Sequence, residues 1–179
     1  ATKISFINAM AEIAEVSGAD AVALAEAIGY DERIGNKFLR NGIGFGGGCL
    51  PKDIRAFMAR AEELGVGKAV DFLADVDQVN LRRRKRVVDI LEQELGTLSG
   101  KRVLVLGAAF KPDSDDLRDS PSIAVAGLIN AAGATTVVTD PISLDHVRAQ
   151  HPEFIAEEDL IKAATGADAI VLANEWAQY

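Results

Sequence analysis

The segment SGKRVLVL at residues 99–106 decides the fold, because the hydrophobic period of the chain changes at its start. Its second part, RVLVL, predicts a buried strand, since short apolar runs that follow turn residues are typical of strands. The runs TTVVT (135–139) and AIVLA (169–173) predict two more strands. Between the first two we expect a helix with Ser120 as its N-cap and Gly133 beyond its end. Strands that alternate with helices pair in parallel, which predicts a Rossmann-like α/β domain with a three-stranded sheet.

The residues before this segment are predicted to be helical, apart from one loop rich in glycine. The first predicted helix, 4–17, carries apolar side chains around most of its circumference, so we expect a partner subunit to cover part of it. The fold class is therefore an all-α central dimerisation domain over residues 1–98, followed by the α/β Rossmann-like parallel-sheet domain over 99–179. The other predicted helices begin after Asp20, at Pro51 with a buried stripe of Ile54, Phe57, Met58, Ala61 and Leu64, and at about Lys68, this last one continuing to Leu95.

Composition argues against several classes of protein. The chain has 179 residues with 19 Lys+Arg against 27 Asp+Glu, and its net charge of −8 disfavours nonspecific binding to nucleic acid or anionic lipid. No apolar run reaches the roughly 18 residues that a membrane span needs. One cysteine and two histidines are too few for a thiolate or histidine metal site, and a single thiol fits a reducing compartment. We therefore expect a cytoplasmic protein without a metal, and the basic run at 82–86 is expected to be a solvated or interfacial helix segment.

The segment RNGIGFGGGCLPKD at residues 40–53 carries the candidate chemistry. Five glycines in residues 42–48, here called the glycine loop, allow positive φ and close approach of the backbone to a ligand. Cys49 lies where a helix is predicted to begin, and the amides and dipole there favour a thiolate. Asp53 follows within about one turn, so the two residues can act as a nucleophile beside an acid or base. These residues alone leave alternatives open: a buried hydrophobic cysteine, an aspartate that complements the dipole, and a glycine hinge.

Four further motifs accompany this segment. They are RIGNKFL at 33–39, GAAFKPDSDDLRDSPS at 107–122, DP at 140–141 and NEW at 174–176. Together with GIGFGGGCLPKD they resemble the UDP-glucose/GDP-mannose dehydrogenase family of nucleotide-sugar dehydrogenases, and within it the UDP-glucose 6-dehydrogenases. The resemblance spans nearly the whole chain, which corresponds to the central and C-terminal portions of the family's proteins.

The resemblance implies a four-electron oxidation of the C6 alcohol of UDP-glucose to a carboxylate, with two NAD+ in turn. Cys49 matches the family nucleophile, which forms a thiohemiacetal and then a thioester, and Asp53 matches the carboxylate that orients or activates water. Three alternatives remain open. They are a related dehydrogenase for GDP-mannose, a sugar-nucleotide-binding module without catalysis, and a thiol redox module.

The resemblance also assigns roles to other residues. Those matched to the substrate are Arg33, Phe38, Leu39, Arg40, Asn41, Gly42, Ile43, Gly44, Phe45, Gly46, Phe110 and Lys111. Those matched to NAD+ are Cys49, Leu50, Pro51, Lys52 and Arg118. In the family the arginine matched by Arg33 comes from the neighbouring subunit, which implies a homodimer. Asp140 is expected to shape a turn with Pro141 and not to bind a ribose.

Some family features have no match in this sequence. The family's NAD+-binding domain and its K-x-x-x-N motif would precede Ala1, and a last substrate arginine would follow Tyr179, so we expect a truncated, inactive fragment. Lys3 and Asn8 are expected to be helix-surface or interface residues, not substitutes for that motif. The second half has no G-x-G-x-x-G turn, so it is not predicted to bind NAD+ independently. Gly48 stands where serine is commonest in the family.

Overall fold

The computed structural model describes residues 1–179 and consists of two compact units. The first comprises Ala1–Phe45 and Cys49–Arg83, and the second comprises Gly46–Gly48 and Arg84–Tyr179. A helical region precedes a parallel sheet with helices, which confirms the fold class. The domain boundary between residues 98 and 99 stays a prediction.

The first unit consists of helices. They are α1 (Thr2–Ser17), α2 (Ala21–Gly29), α3 (Leu50–Glu63), a 3₁₀ turn (Gly67–Val70) and α4 (Phe72–Leu95), whose residues from Arg84 onward belong to the second unit. As predicted, Gly18 ends α1 with a φ of 74°, and the Asp20 carboxylate caps α2 by accepting from the amides of Val22 and Ala23. The single helix predicted from about Lys68 is wrong, because a 3₁₀ turn precedes α4 as a separate element.

The core of the first unit is built around Phe45, Ile54, Leu73 and Val76. In α3, Ile54 and Ala61 are buried, but Phe57 and Leu64 are exposed, so the predicted stripe is too wide. The reason is helical geometry, since both exposed residues lie on one flank of the face that Ile54 and Ala61 share. In α1 the residues Phe6 and Ile13 are likewise exposed within this chain.

The second unit is a parallel four-stranded sheet with helices. Its strands are β1 (Arg102–Leu106), β2 (Thr135–Thr139), β3 (Ile155–Ala156) and β4 (Ala169–Leu172), in the order β3-β2-β1-β4, and its helices are α5 (Pro121–Ala131), α6 (Leu144–Gln150) and α7 (Leu160–Ala164). All three pairs of strands are parallel. The predicted count of three strands is wrong, because β3 has only two residues and therefore shows no period in the sequence.

Asp140 organises the end of β2. The residue is buried, and its carboxylate accepts hydrogen bonds from the amides of Ala108, Ile142 and Ser143 at 2.8, 3.0 and 2.9 Å. This confirms its predicted role in shaping a turn. Burial by itself would raise the pKa of Asp140, but these hydrogen bonds outweigh it and hold the pKa below its ordinary value.

The basic run at 82–86 is only in part the solvated segment that was expected. In the first unit Arg82 and Arg83 pair with carboxylates of α1, at 2.9 Å from Glu12 and 3.2 Å from Glu15. In the second unit Arg84 lies 3.8 Å from Asp119. Arg83 and Arg84 are buried, so the expectation of a wholly solvated or interfacial segment is corrected for these two. Buried guanidinium groups need such partners, which explains why they contact acids.

No helix in the structure has both the length and the apolar content that crossing a membrane requires.

Candidate functional site

The segment before the glycine loop places Arg33 on the surface. Its guanidinium forms a two-pronged ion pair with Asp31 at 2.6 to 3.2 Å, and its side chain is 88% exposed. This contact holds the pKa of Asp31 below its ordinary value. Lys3 of α1 donates to the carbonyls of Ile34 and Gly35 at 2.7 and 3.0 Å. Lys3 thus binds the backbone of this segment, a contact that its prediction as a helix-surface or interface residue does not include.

Phe38 and Leu39 begin the segment 38–46, which the resemblance matches to the substrate, and they differ in burial. Phe38 has a φ of 65°, which is rare for a residue with a side chain, and it is exposed, whereas Leu39 is buried. Arg40 and Asn41 are exposed as well. A backbone in a sparsely populated region persists only where its surroundings hold it there.

Gly42 opens the glycine loop and is bonded at both of its backbone groups. Its amide donates to Asn8 Oδ1 at 2.8 Å, and its carbonyl accepts from Arg83 Nε at 3.2 Å. Asn8 is fully buried in α1. Its prediction as a helix-surface or interface residue is therefore wrong, because a loop amide occupies the position that solvent or a partner was expected to take.

Phe45 is also bonded at both backbone groups, by Asn80 of α4. Asn80 Oδ1 accepts from the amide of Phe45 at 2.6 Å, and Asn80 Nδ2 donates to its carbonyl at 3.0 Å. Gly44 has a φ of +98°, and a Cβ there would lie 2.9 Å from the carbonyl oxygen of Asn80. Only glycine fits both requirements.

Between these two bonded residues, the backbone of Ile43 and Gly44 forms no hydrogen bond within the chain. Both residues are half-buried. Polar backbone groups in such a place are satisfied by water or by a ligand. The first part of the glycine loop therefore offers fixed but unused donors and acceptors.

Cys49 lies at the beginning of α3 and is exposed. It is the N-cap residue, its carbonyl accepts from the amide of Asp53 at 2.8 Å, and its thiol makes no capping hydrogen bond. The helix begins at Leu50, with the buried Pro51 next. The buried-hydrophobe alternative for Cys49 is thus wrong.

Asp53 and Lys52 occupy the first turn of α3. The Lys52 ammonium lies 3.3 Å from the Asp53 carboxylate, and the two side chains are 72% and 68% exposed. An exposed pair of this kind contributes little to stability, so either group is available for another partner.

In the second unit, the rest of the glycine loop packs against the segment after β1. The amide of Gly47 donates to the carbonyl of Arg118 at 3.1 Å, and a Cβ at Gly47 would lie 2.9 Å from the Phe110 ring. Lys111 Nζ lies 5.5 Å from the centre of the same ring, a cation–π contact. The Phe110 ring therefore lies against the backbone of Gly47 and within reach of the Lys111 ammonium.

Arg118 lies against Gly48. Its guanidinium is bound to Asp116 at 2.8 to 3.1 Å, and a Cβ at Gly48 would lie 2.9 Å from Arg118 Cζ. A serine at this position would have to displace the end of the arginine side chain. Gly48, which stands where the resemblance implies serine, therefore leaves room for the Arg118 guanidinium.

Two cavities of about 430 Å³ each lie in the second unit. The first, next to the end of β2, is lined by Asp140, Pro141, Ile142, Leu144, Asp145, Arg148, Glu158 and Gln178. The second is lined by Asp115, Asp116, Leu117, Arg118, His146 and Gln150. Of the residues assigned to a ligand, Arg118 is the one that lines either of them.

Comparison with known families matches both parts of the chain. Residues 1–82 match the central domain of the UDP-glucose/GDP-mannose dehydrogenase family, and residues 104–179 match the UDP binding domain of the same family. The chain belongs to the UDP-glucose/GDP-mannose dehydrogenase family. This confirms the resemblance drawn from the cysteine segment and the motif at 107–122.

Individual dehydrogenases of this family are similar along nearly all of the chain. The UDP-glucose 6-dehydrogenase YwqF of Bacillus subtilis is 39% identical over 178 residues, which are 99% of this chain and 40% of that protein. AglM of Haloferax volcanii, also a UDP-glucose 6-dehydrogenase, is 39% identical over 100% of this chain and 41% of its own length. The chain thus spans about two-fifths of the length of these relatives.

Solved structures of the dehydrogenase family share the fold. A UDP-glucose dehydrogenase from Pyrobaculum islandicum superposes with a TM-score of 0.93 at 38% identity, covering 99% of this chain and 41% of that one. A GDP-mannose dehydrogenase from Pseudomonas aeruginosa gives a TM-score of 0.69 at 26% identity, covering 97% and 42%.

Three residues that bond the glycine loop were missed from the sequence as site residues: Asn8, Asn80 and Arg83. For Asn80 the sequence does contain a signal. Leu73, Val76 and Asn80 follow one another at the spacing of a buried helix face, and a polar residue on such a face needs a buried partner. Which backbone group that partner is depends on the folded loop.

Proposed function

We propose that this chain is part of a UDP-glucose 6-dehydrogenase, which oxidises the C6 alcohol of UDP-glucose to UDP-glucuronate. The observation that carries the proposal is the exposed Cys49 at the end of a glycine loop whose backbone is held by buried side chains. A covalent intermediate requires an accessible nucleophile next to a fixed substrate. The named relatives, similar along nearly the whole chain, support the choice of sugar.

The proposed reaction has two oxidations joined by a covalent step. The C6 alcohol first loses a hydride and a proton and becomes an aldehyde. The Cys49 sulfur adds to the aldehyde carbon while a proton goes to the aldehyde oxygen. The resulting thiohemiacetal can lose a second hydride, together with its hydroxyl proton, to leave a thioester. Water then cleaves the carbon–sulfur bond, which releases the carboxylate and restores the thiol. Asp53, four residues from Cys49 on the first turn of α3, is proposed to orient or activate that water.

The proposed substrate contacts use backbone groups as well as side chains. The unbonded groups of Ile43 and Gly44 suit the hydroxyls of a sugar, since they are held in place at both ends. The aromatic face of Phe110 suits a nucleobase, and Lys111 suits phosphate. Arg33 and the rest of Phe38–Gly46 keep the roles that the resemblance implies.

NAD+ would supply the hydride acceptor when bound, with two equivalents for the four electrons. Cys49–Lys52 is the segment of the first unit proposed to contact it, where the exposed Lys52 ammonium suits a phosphate. Arg118, in the second unit, keeps the cofactor role that the resemblance implies. Residues 42–47 match G-x-G-x-x-G letter by letter, but this segment does not follow a strand, so it does not fit the dinucleotide-binding turn. The present residues are therefore proposed to contact the cofactor and not to hold it alone.

The isolated 179-residue chain is expected to form no NADH from UDP-glucose and NAD+. The reason is that its second half has no strand–turn–helix with the dinucleotide fingerprint, and its glycine loop lies in the wrong context. The measurement is the absorbance of NADH with purified chain, with the complete protein as the positive control. Steady NADH production by this chain, free of complete enzyme, would contradict the expectation.

A homodimer through the central helices is also proposed. Phe6 and Ile13 of α1 are exposed apolar residues, which a second copy of the chain would cover.

The proposed compartment is reducing and cytoplasmic. The chain has a single thiol, which is exposed and has no second cysteine in the chain to form a disulfide with.

Alkylation of Cys49 is expected to distinguish the proposed substrate from its alternatives. UDP-glucose bound to the glycine loop covers the neighbouring thiol, so it is expected to slow alkylation by iodoacetamide about tenfold. The rate of alkylation is measured by mass spectrometry. GDP-mannose at the same concentration is the matched control and is expected to leave the rate unchanged.

The other outcomes each favour an alternative. Protection by GDP-mannose but not UDP-glucose favours the mannose enzyme. Equal rates with both sugars, together with reversible oxidation of Cys49, favour a thiol redox module. Binding of UDP-glucose by calorimetry without any change in alkylation favours a binding module without catalysis.

A further inference from the structure

We propose that Asn80 is a positioning residue that sets the direction of the backbone groups in the glycine loop, an inference that rests on the proposed function of that loop. Asn80 is fully buried in α4. Its carboxamide accepts from the amide of Phe45 at 2.6 Å and donates to the carbonyl of Phe45 at 3.0 Å. One side chain thus binds both backbone groups of a single loop residue.

The two hydrogen bonds act on two different peptide planes. The amide of Phe45 lies in the same rigid plane as the carbonyl of Gly44, and the carbonyl of Phe45 lies in the same plane as the amide of Gly46. By fixing the first plane, Asn80 fixes the direction of a carbonyl that has no hydrogen bond of its own in this chain. The residue therefore aims a group that a ligand can use.

Side-chain packing holds the loop against Asn80, in addition to the two hydrogen bonds to Phe45. The Phe45 side chain is buried against Ile54, Leu73 and Val76, and Asn80 lies so close to Gly44 that a Cβ there would meet its carbonyl oxygen at 2.9 Å. Arg83, one turn along α4, fixes the plane that contains the amide of Ile43 through its bond to the carbonyl of Gly42. The amide of Ile43 and the carbonyl of Gly44 are thus oriented by α4.

The test replaces one half of the carboxamide. Asn80→Asp keeps an acceptor for the amide of Phe45 but turns an oxygen toward its carbonyl. A buried acid of this kind is protonated at a higher pH than usual, and the protonated form again has one donor and one acceptor. At pH 8 we expect the Kd for UDP-glucose to rise about tenfold, and at pH 5 to return to within about twofold of the wild-type chain at that pH.

Gln78→Glu is the matched control. Gln78 is exposed on the same helix, so this variant adds the same charge without touching the loop and is expected to bind UDP-glucose like the wild type at both pH values. A merely structural role for Asn80 predicts weaker binding of Asn80→Asp at both pH values in step with its melting temperature. That result, or wild-type affinity at pH 8, would overturn the proposal.

Hydrogen exchange of the wild-type chain gives a second test that needs no variant. The amide of Phe45 is expected to exchange at least about tenfold more slowly than the amides of Ile43 and Gly44, which have no partner. Equal exchange at the three positions overturns the proposal even if the variant does not fold. If the complete wild-type protein does not bind UDP-glucose, the proposed function fails, and slow exchange of Phe45 still supports the positioning role of Asn80.

Discussion

The proposed nucleophile role of Cys49 predicts that its replacement by alanine in the complete protein lowers the rate of UDP-glucuronate formation by at least about a thousandfold. Without the sulfur the aldehyde cannot become a thiohemiacetal, so the covalent route to the second hydride transfer is closed. The rate is measured as NADH formed per enzyme, with uronate identified by mass spectrometry.

Because Cys49 is exposed and its thiol makes no capping hydrogen bond, the same substitution is expected to leave the melting temperature and the affinity for UDP-glucose nearly unchanged. A loss of activity that accompanies unfolding would therefore say nothing for the nucleophile. Undiminished uronate formation by the folded variant would refute the role of Cys49.

Replacing Asp140 with alanine is expected to lower the free energy of unfolding by about 3 to 5 kcal/mol, because two buried amides and one part-buried amide lose their acceptor. Chemical denaturation of the chain measures the change. Asp145→Ala is the matched control, since that carboxylate is 92% exposed and pairs with Arg148 on the surface. The free energy of unfolding is expected to fall far less in Asp145→Ala. Equal decreases in the two variants would contradict the stabilising role of the buried Asp140 carboxylate.

The contribution of Asp140 is also expected to depend on pH. Its pKa in the folded chain is below the ordinary value, so the stabilisation is fully present above the unfolded pKa of about 4 and is lost as the pH falls through the folded pKa. Asp140→Asn does not titrate at this position. The difference in unfolding free energy between wild type and Asp140→Asn is therefore expected to be constant above about pH 5 and to shrink in more acidic buffer.

The elements with strong local signals could be predicted from the sequence. Gly18 and Asp20 mark helix ends by chemistry that acts within a few residues, and the short apolar runs of β1 and β2 indicate strands. The two-residue strand β3 has no such signal, since it exists only because β2 offers it a partner. Its position depends on tertiary pairing, which no local pattern encodes.

The candidate site divides in the same way. The glycines, Cys49 and Asp53 lie within one contiguous segment, so the sequence alone could single them out. Asn8, Asn80 and Arg83 are distant from that segment in the sequence and reach it only in the folded chain. The sequence predicts Asn8 to be a helix-surface or interface residue, although it is buried, because α1 has apolar residues on several sides and their period does not show which side is covered.

The glycine loop also has a consequence for enzyme engineering. Its first part is shaped by three long-range side-chain contacts and not by a strand ladder or a disulfide. A designer could therefore retune its curvature by single replacements in α1 or α4 while the main-chain bonding of both helices stays intact. Under the proposed function, changes at these supports are then a route to accepting a different sugar, with the cysteine segment itself left untouched.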